Sequence, residues 1–403
     1  MSETLFILGR EPELSVAELE AMTTAWSAAV TVASTSVALV RHEGGLPDRA
    51  LDRLGGSVKQ VTVLERWPIT TNLVTTLIEE LSGDWAQKLF PDRGRIEFGL
   101  SVYGASNSER AAVNRQGLRL KKELVHSGRP VRYVTSREPQ LSAVTVKKNG
   151  LLEKGKELVF VKTAPEVIVG LTAAVQDYEA YGRRDFGRPA ANPKSGMVPP
   201  KLAQMMLNIA GVQPNDVLLD PWCGSGTILQ EAALMGVKEI YGSDLEPKAV
   251  KSAQENIRWL FKEFPHLRAD VEITMRDARQ GSIAADVIVT EPDLGKPLRG
   301  HEPQPWLHQQ AKKLQIMYWQ CFEQWKKKLR PRGRVVMIWP EFVVGGADVT
   351  IDIEQAVRNL GFRQEPLLSS ASARTMNVAN PSVLVYARDD AKVRRQIRKW
   401  TLR

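Results

Sequence analysis

From Lys201 onward, the apolar positions switch regularly between the spacing of a strand and the spacing of a helix. Short apolar runs such as DVLLD, EIYGSD and ADVIVTEP are typical of strands, and the segments between them repeat an apolar residue every three or four positions. One long segment keeps the helical spacing from Leu307 to Leu329, which predicts a helix with one buried side. Strands separated by helices and short turns indicate a parallel, doubly wound α/β sheet.

The chain before Lys201 has the mixed pattern of α+β modules. In the first module, SVAELEAMTTA is predicted as a helix that Ser15 opens, with Glu18 at capping-box spacing, and TTNLVTTLIEELSG as a helix that stops at Gly83. In the second module, SERAAVNRQGLRLKKELVHSG is predicted as a helix. The predicted strands of the two modules are TLFILG, VTVASTSVALVRH, SVKQVTVLERW, RIEFGLSVYG, PVRYVTS, SAVTVKKNG, KELVFVKTA and EVIVGLTAAVQ.

These patterns predict four segments. They are an N-terminal α+β module over 1–92, a second α+β module over 93–180, a linker over 181–200 and the doubly wound domain over 201–403. The linker is assigned because its residues are rich in Gly, Pro and Arg and show no period. The C-terminal run AKVRRQIRKWTLR carries six basic residues and no acid, which fits either a helix lying on phosphates or a solvated terminus.

Length and composition narrow the class of protein. A chain of 403 residues suggests two or three domains, and a hydrophobic share of 43% fits a globular protein. No run of 18 apolar residues and no signal-peptide pattern occurs, so we expect a cytoplasmic protein with no membrane segment. Oligomeric state is not readable from the sequence; we expect a monomer, with a partner subunit left open.

Charge and metal-binding residue types bear on the partners. The chain has two cysteines, Cys223 and Cys321, and five histidines that never pair at ligand spacing, so no metal site is expected. The net charge of +9 favours a polyanionic partner such as nucleic acid.

The stretch LLDPWCGSGTILQEAALMG carries the most specific chemistry. A predicted strand runs into Asp220, and Gly224 and Gly226 then allow a tight turn before a helix. A phosphate-binding P-loop would need a lysine here, and a nicotinamide fingerprint would need glycine where Leu229 stands. An acid before the glycines instead suits a cationic ligand, and S-adenosylmethionine, with a sulfonium and an amino-acid end, fits that description.

Further acids follow the next strands in order. Asp244 ends EIYGSD, where a carboxylate can accept both ribose hydroxyls, and Asp277 ends MRDA, within reach of an adenine amino group. The fourth strand ends in TEPDLG, at the position over a methyl donor. One such acid is commonly a loop or cap residue, whereas a series at successive strand ends indicates a binding site.

On these residues the chain resembles the Rossmann-like class I methyltransferases, and D-P-x-C-G-S-G-T is characteristic of those that act on exocyclic amines. The stretches LFILGREPELSVAELEAM, SAVTVKKNGL, VIVGLTAAVQDYEAYGRRD and SGMVPPKLAQMMLNIAG are similar to the THUMP-containing tRNA guanine-N2 methyltransferases, which modify guanosine 10 of tRNA. The resemblance implies S-adenosylmethionine as cofactor and tRNA as partner. It also implies a ferredoxin-like N-terminal module over 1–92 and a THUMP RNA-binding domain over 93–180. The cofactor-binding residues that we predict are Met197, Asp220, Cys223, Gly224, Ser225, Gly226, Asp244, Leu245, Asp277, Ala278 and Glu291.

The catalytic motif departs from the family pattern. Family members carry D-P-P-Y-G, in which an acid and a backbone carbonyl hold the amine and the aromatic ring stacks on the base. Here the motif is E-P-D-L-G, so Glu291 and Pro292 supply the acceptors and Leu294 supplies no aromatic face. We predict an active enzyme with altered motif geometry. The target could instead be an rRNA guanine N2 or an adenine N6 amine, and a catalytically silent RNA-binding protein is the further alternative.

Basic residues are the candidate RNA contacts. Their alternative interpretation is an ordinary solvated surface. The candidates are Arg119, Lys121, Lys122, Lys147, Lys148, Arg183, Arg184, Lys296 and Arg299.

Overall fold

The computed structural model describes residues 2–90, 94–126, 128–138, 140–190, 197–281 and 283–403. The chain divides into two compact units. Unit 1 consists of Met1–Pro12, Thr23–Asp52 and Ser57–Tyr178, and unit 2 of Glu13–Met22, Arg53–Gly56 and Glu179–Arg403. In the described part of the chain, no helix is both long and apolar enough to cross a membrane.

The secondary structure begins with a series of short strands and helices. The elements up to Phe186 are β1 Ser2–Leu8, α1 Pro12–Trp26, β2 Ala28–Ser34, β3 Val37–His42, β4 Ser57–Pro68, α2 Leu73–Glu80, α3 Gly83–Gln87, β5 Ile96–Tyr103, α4 Asn107–Val125, β6 Val131–Val134, α5 Ala143–Lys148, β7 Lys156–Lys162, β8 Glu166–Val175 and α6 Tyr178–Phe186.

A second series follows from Pro200. Its elements are α7 Pro200–Ala210, β9 Val217–Asp220, α8 Thr227–Leu234, β10 Glu239–Asp244, α9 Pro247–Glu263, β11 Asp270–Met275, β12 Ala285–Thr290, α10 Gln304–Lys328, β13 Leu329–Val344, β14 Ala347–Thr350, α11 Glu354–Asn359, β15 Phe362–Glu365, α12 Ser370–Thr375, β16 Leu384–Tyr386 and β17 Val393–Leu402.

Unit 1 is built on one eight-stranded sheet in the order β2-β3-β1-β4-β8-β7-β5-β6. Strand β4 pairs with β8 along most of its length, from Lys59 to Pro68. Strands of both predicted N-terminal modules therefore share a sheet, which has no break where the sequence suggested a boundary between 92 and 93. Asp92, at that boundary, lies outside the described residues.

A buried ion pair joins the two halves of this sheet. Nζ of Lys59 on β4 lies 2.5 Å from Oε1 of Glu157 on β7, and the two side chains are 2% and 0% exposed. The hydroxyls of Ser101 and Thr172 donate to the same carboxylate, each at 2.5 Å. Every charge in this cluster is thus paired within unit 1, as burial demands.

The predicted capping box at Ser15 is wrong. Helix α1 starts earlier, at Pro12, because proline is well suited to the first turn of a helix. The Ser15 hydroxyl instead donates to the Gly56 carbonyl, and Glu18 accepts from the backbone N–H groups of Gly55 and Gly56. These polar side chains fasten the helix to a distant turn, a contact that local spacing does not reveal.

Two other local predictions need correction. The stretch SAVTVKKNG forms helix α5 rather than a strand, because the Ser142 side chain accepts from the Thr145 N–H and caps the first turn. The second predicted helix stops at Glu80, before Gly83, and Gly83–Gln87 forms the separate helix α3.

The predicted linker over 181–200 contains ordered structure. Residues Tyr178–Phe186 form helix α6, in which Tyr181 and Arg184 are buried. The sequence shows no apolar period here because an arginine occupies a buried position, where an acid neutralises it. Residues 191–196 of the same predicted linker lie outside the described residues.

Unit 2 contains a nine-stranded sheet with the main order β11-β10-β9-β12-β13-β17-β15. Strands β11, β10, β9, β12 and β13 are parallel to their neighbours in that series, and β17 pairs antiparallel with β13 and β15. This confirms the doubly wound, mostly parallel sheet. Helix α10 also follows the prediction, burying Leu307, Leu314, Tyr318 and Trp325 on one side.

The C-terminal basic run is neither of the two forms expected. Its residues form strand β17, which lies between β13 and β15 inside the sheet. Trp400 is fully buried there, and the basic side chains are paired: Arg398 bonds to Glu354 and Arg394 lies 3.7 Å from Glu341. The many basic residues of this segment hide the buried positions that would have indicated a strand.

Candidate active site

A cavity of about 580 Å³ opens at the carboxyl end of β9. Strand β10 lies on one side of β9 and β12 on the other, so successive crossovers leave in opposite directions and open a crevice, as is usual in doubly wound sheets. The cavity is lined by Ala190, Met197, Val198, Asp220, Trp222, Cys223, Gly224, Ser225, Thr227, Ile228, Asp244, Glu246, Lys248, Ala249, Ser252, Glu291, Pro292 and Asp293.

The glycine turn after β9 needs two residues without side chains. Gly224 and Gly226 have φ angles of 52° and 81°, in the left-handed region that favours glycine. A third glycine, Gly242 on β10, lets the turn approach the sheet, since a Cβ there would lie 2.5 Å from Leu229. The backbone N–H of Cys223 donates to the carbonyl of Ser243 at 2.8 Å and fixes the turn against β10.

Asp220 is a buried acid at the base of the cavity. Its Oδ1 accepts from the Thr290 hydroxyl at 2.6 Å and from the Trp222 N–H at 3.2 Å. Burial raises the pKa of Asp220 to about 7, and the nearby carboxylates of Asp244 and Glu291 act in the same direction. Such a cluster of acids favours a ligand that brings positive charge.

Asp244 is oriented by the loops on either side of it. Its two oxygens accept from the backbone N–H of Gly224 at 3.0 Å and of Glu246 at 2.9 Å. Each carboxylate oxygen has a further lone pair, so both can still accept from a ligand. The carboxylate therefore lies at the cavity wall in a fixed orientation, and its predicted contact with ribose hydroxyls stays a prediction.

Two residues that the sequence interpretation missed hold the opposite wall. Asn256, on α9, is fully buried and exchanges hydrogen bonds with the Ala190 backbone, and its Nδ2 also donates to the Ser225 carbonyl at 2.9 Å. Arg188 donates to the Thr227 hydroxyl at 2.7 Å and contacts the Met197 sulfur at 3.3 Å. A buried Asn inside an amphipathic helix was the only available signal.

Glu291, directly after β12, is paired with a residue from the C-terminal strand. Its Oε1 lies 2.5 Å from Nε of Arg395 on β17, and the two side chains are 14% and 20% exposed. Burial raises the pKa of Glu291, and the Arg395 guanidinium opposes that rise. The pairing depends on β17, which the sequence did not reveal as a strand.

The rest of the E-P-D-L-G motif is fixed around Pro292. The Asp293 carbonyl accepts from the Tyr318 hydroxyl at 2.6 Å, and the Asp293 side chain accepts from the Gly295 N–H at 2.9 Å. The Pro292 carbonyl makes no hydrogen bond with any described residue. It thus remains an available acceptor beside Glu291.

An aromatic side chain lies in the cavity wall at Trp222. The ring packs edgewise on Tyr318 and Trp325, with ring centroids 6.4 Å and 6.0 Å away. The indole N–H has no hydrogen-bond partner among the described residues, and the side chain is partly exposed. The sequence interpretation treated this position as variable and did not single it out.

Several predicted cofactor residues do not line the cavity. Asp277 forms an ion pair with Arg279 at 2.5 Å, which lowers the pKa of the Asp277 carboxyl. The predicted contact between Asp277 and adenine therefore stays a prediction. Gly226, Leu245 and Ala278 are likewise absent from the described lining of the cavity, as is Leu294 of the predicted catalytic motif.

The predicted RNA contacts fall into three groups. Arg184 is wrong as an RNA contact, because it is buried and bonds to Glu231 through Nε at 2.7 Å. Arg119 donates to the carbonyls of Leu77, Ile78 and Leu81, so its guanidinium serves helix α2. The exposed or half-exposed candidates are Lys121, Lys122, Lys147, Lys148, Arg183, Lys296 and Arg299.

The donor set of the cavity suits an organic cation better than a metal ion. In the described part of the chain, no group of three or more His, Cys, Asp or Glu residues is arranged to hold a metal. The cavity lining offers backbone N–H groups, hydroxyls, an indole ring and carboxylates, which are typical of a site for a small organic ligand.

Comparison with known proteins supports this interpretation. Residues 188–343 match the family model described as RMKL-like, methyltransferase domain. The chain is 38% identical over 113 residues to a tRNA (guanine(10)-N2)-dimethyltransferase of Methanothermobacter thermautotrophicus, which covers 28% of this chain and 31% of that protein. It is 31% identical over 150 residues to a tRNA (guanine(6)-N2)-methyltransferase of Thermus thermophilus, covering 36% and 39%. The chain thus spans about a third of the length of these curated relatives.

A solved structure extends the likeness to the whole chain. TrmN from Thermus thermophilus covers 100% of both chains with a TM-score of 0.56 and 16% sequence identity. At that identity the likeness concerns the fold. The doubly wound domain therefore has the Rossmann-like methyltransferase fold.

Proposed function

We propose that this protein transfers a methyl group from S-adenosylmethionine to the exocyclic N2 amine of a guanosine in tRNA. The single observation that carries the proposal is the cavity beyond β9, where Asp220, Asp244 and Glu291 meet in one crevice. The aligned relatives, named for guanine-N2 methylation of tRNA, support the choice of substrate, and position 10 is the target that we favour. The same proposal places the protein in the cytoplasm.

The residues present fit the proposed cofactor. Asp220 supplies a carboxylate for a sulfonium and an ammonium group, and Asp244 offers its carboxylate to ribose hydroxyls. Gly224 allows the cofactor to approach the backbone closely. When bound, S-adenosylmethionine supplies an electrophilic methyl group.

Glu291 and Pro292 bind the substrate amine by accepting hydrogen bonds from its two N–H groups. The lone pair of an exocyclic guanine amine is delocalised into the ring, so the nitrogen is a weak nucleophile. Acceptors on both N–H groups favour a pyramidal nitrogen whose lone pair points at the donor. The Glu291 carboxylate and the unpartnered Pro292 carbonyl are such a pair of acceptors.

Trp222 supplies the aromatic ring for stacking on the base, because Leu294 stands where the family motif has an aromatic residue. Its indole borders the same cavity as Glu291 and Pro292, and packing on Tyr318 and Trp325 limits its movement. A base stacked on an aromatic ring gains about 1–3 kcal/mol. Trp222 therefore offers a stacking surface beside the amine acceptors.

Unit 1 is proposed as the RNA-binding part, with a ferredoxin-like region and a THUMP domain over the segments stated above. The support is the resemblance of its sequence and the exposed lysines of α4 and α5, namely Lys121, Lys122, Lys147 and Lys148. The pairing of β4 with β8 makes these segments one folded body.

Methyl transfer to unmodified tRNA tests the function. Purified protein is expected to form N2-methylguanosine, detected by nucleoside mass spectrometry, and Glu291→Gln is expected to lower kcat on the order of 100- to 1,000-fold with cofactor affinity retained. The matched control is Glu341→Gln, since Glu341 lies on β13 outside the cavity lining.

Three results would replace the proposal with an alternative. A methylated rRNA guanine or adenine N6 amine would show that the substrate is not a tRNA guanosine. Mapping of modified tRNA fragments separates methylation of guanosine 10 from methylation of guanosine 6. Binding of tRNA without binding of S-adenosylmethionine, measured by calorimetry, would leave a catalytically silent RNA-binding protein. One or two added methyl groups are distinguished in the same mass spectrum.

A further inference from the structure

The ion pair between Glu291 and Arg395 connects the cavity to a strand far along the chain. Arg395 lies on β17, opposite Pro340 of β13, and reaches Oε1 of Glu291 through Nε at 2.5 Å. Arg395 itself is not among the described residues that line the cavity. Its contact with the cavity lining is the ion pair with Glu291.

The ion pair gives the two carboxylate oxygens of Glu291 different surroundings. Oε1 is taken by the guanidinium, whereas Oε2 has no hydrogen-bond partner among the described residues. Because the carboxylate is planar, fixing Oε1 also fixes the direction of Oε2. Oε2 lies in the same motif as the Pro292 carbonyl, for which the described residues likewise provide no hydrogen-bond partner.

We propose that Arg395 is a positioning residue for methyl transfer, which holds one oxygen of Glu291 so that the other accepts an N–H of the substrate amine. This inference rests on the proposed function. It assigns a role in the reaction to a residue of the C-terminal strand, outside the E-P-D-L-G motif.

The charge on Glu291 depends on the same contact. Asp220 at the end of β9 interacts electrostatically with Glu291, and Asp244 and Asp293 line the same cavity. Glu246 and Lys248 line the same cavity from around the start of α9, and the Tyr318 hydroxyl approaches from α10.

Arg395 is the cation in contact with the Glu291 carboxylate. Without it, burial and the neighbouring acids would favour a protonated Glu291. A protonated carboxyl is a poorer acceptor for the amine.

Arg395→Met removes the cation while keeping a long apolar side chain in the sheet. We expect the acidic limb of the kcat/KM profile to move upward by about one pH unit or more, with S-adenosylmethionine affinity near that of the wild type. Arg395→Lys restores charge without the planar fork, and we expect it to recover part of the shift.

The matched control is Arg394→Met. Arg394 precedes Arg395 on β17 and points to the other face of the sheet, where it lies 3.7 Å from Glu341. The variant loses the same charge from the same strand, and we expect an unchanged pH profile. A shift that appears in both variants would attribute the effect to overall charge and overturn the proposal.

A direct titration separates this proposal from the function itself. With 13C-labelled glutamate and the signal assigned through Glu291→Gln, the Glu291 carboxyl should titrate at higher pH in Arg395→Met than in the wild type. An unchanged titration and pH profile, with a raised KM for RNA, would show that Arg395 acts on the RNA instead. Absence of methyl transfer by the wild type would refute the function, while the titration would still test the Arg395 contact.

Discussion

At the scale of single residues, the site combines groups that the sequence displayed with groups that only folding brings in. Asp220, Asp244 and Glu291 follow strands, so their meeting at one edge of a parallel sheet was predictable. Trp222, Asn256 and Arg395 were not, because their roles depend on neighbours that are distant along the chain. Arg184 shows the opposite case, a basic residue whose burial no local pattern indicated.

Asp220 makes cofactor affinity sensitive to pH. Its pKa is raised to about 7, and a cationic ligand favours the ionised form, so binding below that pH must release a proton. Affinity for S-adenosylmethionine is therefore expected to fall as the pH drops through this range. Calorimetry in buffers of different ionisation enthalpy measures the released proton.

Asp220→Asn is the matched control for this prediction, because the amide keeps the size of the side chain and an acceptor for Thr290. The variant should bind weakly with a much flatter dependence on pH. Equal proton release by the wild type and the variant would contradict the role given to Asp220.

Trp222 is expected to determine how well the base is held. Trp222→Ala should lower kcat/KM by roughly 5- to 100-fold, since about 1–3 kcal/mol of stacking is lost, and Trp222→Phe should retain most of the activity. Steady-state kinetics on tRNA, with cofactor affinity measured separately, provides the test. Full activity of the alanine variant would assign the aromatic role elsewhere.

At the scale of helices and strands, long periodic segments were predicted well and short ones less so. Helix α10 repeats its pattern over 25 residues, and the short parallel strands were recognised because they alternate regularly with helices. Helix α5 has six residues, and its cap at Ser142 outweighs an alternation that resembled a strand. Strand β17 was missed because its basic side chains are neutralised by partners elsewhere in the chain.

The buried ion pair between Lys59 on β4 and Glu157 on β7 is expected to stabilise the sheet of unit 1. Glu157→Ala would leave Lys59 buried and uncompensated, which should cost about 3–5 kcal/mol in unfolding free energy. Hydrogen exchange of the β4 and β7 amides is expected to accelerate accordingly. The double variant Lys59→Met with Glu157→Leu should recover much of the protection.

A surface pair of the same unit provides the control for that experiment. Arg95 is 57% exposed and lies 3.2 Å from Glu97, so Arg95→Ala should change the unfolding free energy by less than about 0.5 kcal/mol. If hydrogen exchange accelerates equally in Glu157→Ala and Arg95→Ala, the buried pair stabilises the sheet no more than the surface pair does.

At the scale of the whole molecule, a net charge of +9 predicts salt-sensitive RNA binding. Affinity for tRNA is expected to fall by orders of magnitude between about 50 mM and 200 mM salt, as counterions are released. Lys147→Gln with Lys148→Gln should weaken binding and reduce the slope. The control is Lys326→Gln with Lys327→Gln, two exposed residues that end α10 and carry the same charge.

Filter binding of labelled tRNA over a salt series measures both variants. Equal loss of affinity in the two would mean that total charge decides binding, rather than the lysines of α5.

The overall α/β class and the parallel strands of unit 2 followed from sequence pattern alone. The shared sheet of unit 1 did not, since pairing of β4 with β8 joins residues that are far apart along the chain.

Strand β17 also has a consequence for synthesis of the protein on the ribosome. Strand β13 is translated before its sheet neighbour β17, which is the last of the described strands along the chain. A nascent chain can therefore order β9 to β12 and their glycine turn before Glu291 meets Arg395. A chain that stops before residue 393 would keep the residues of the proposed cofactor crevice but would lack Arg395, so Glu291 would lose its ion pair.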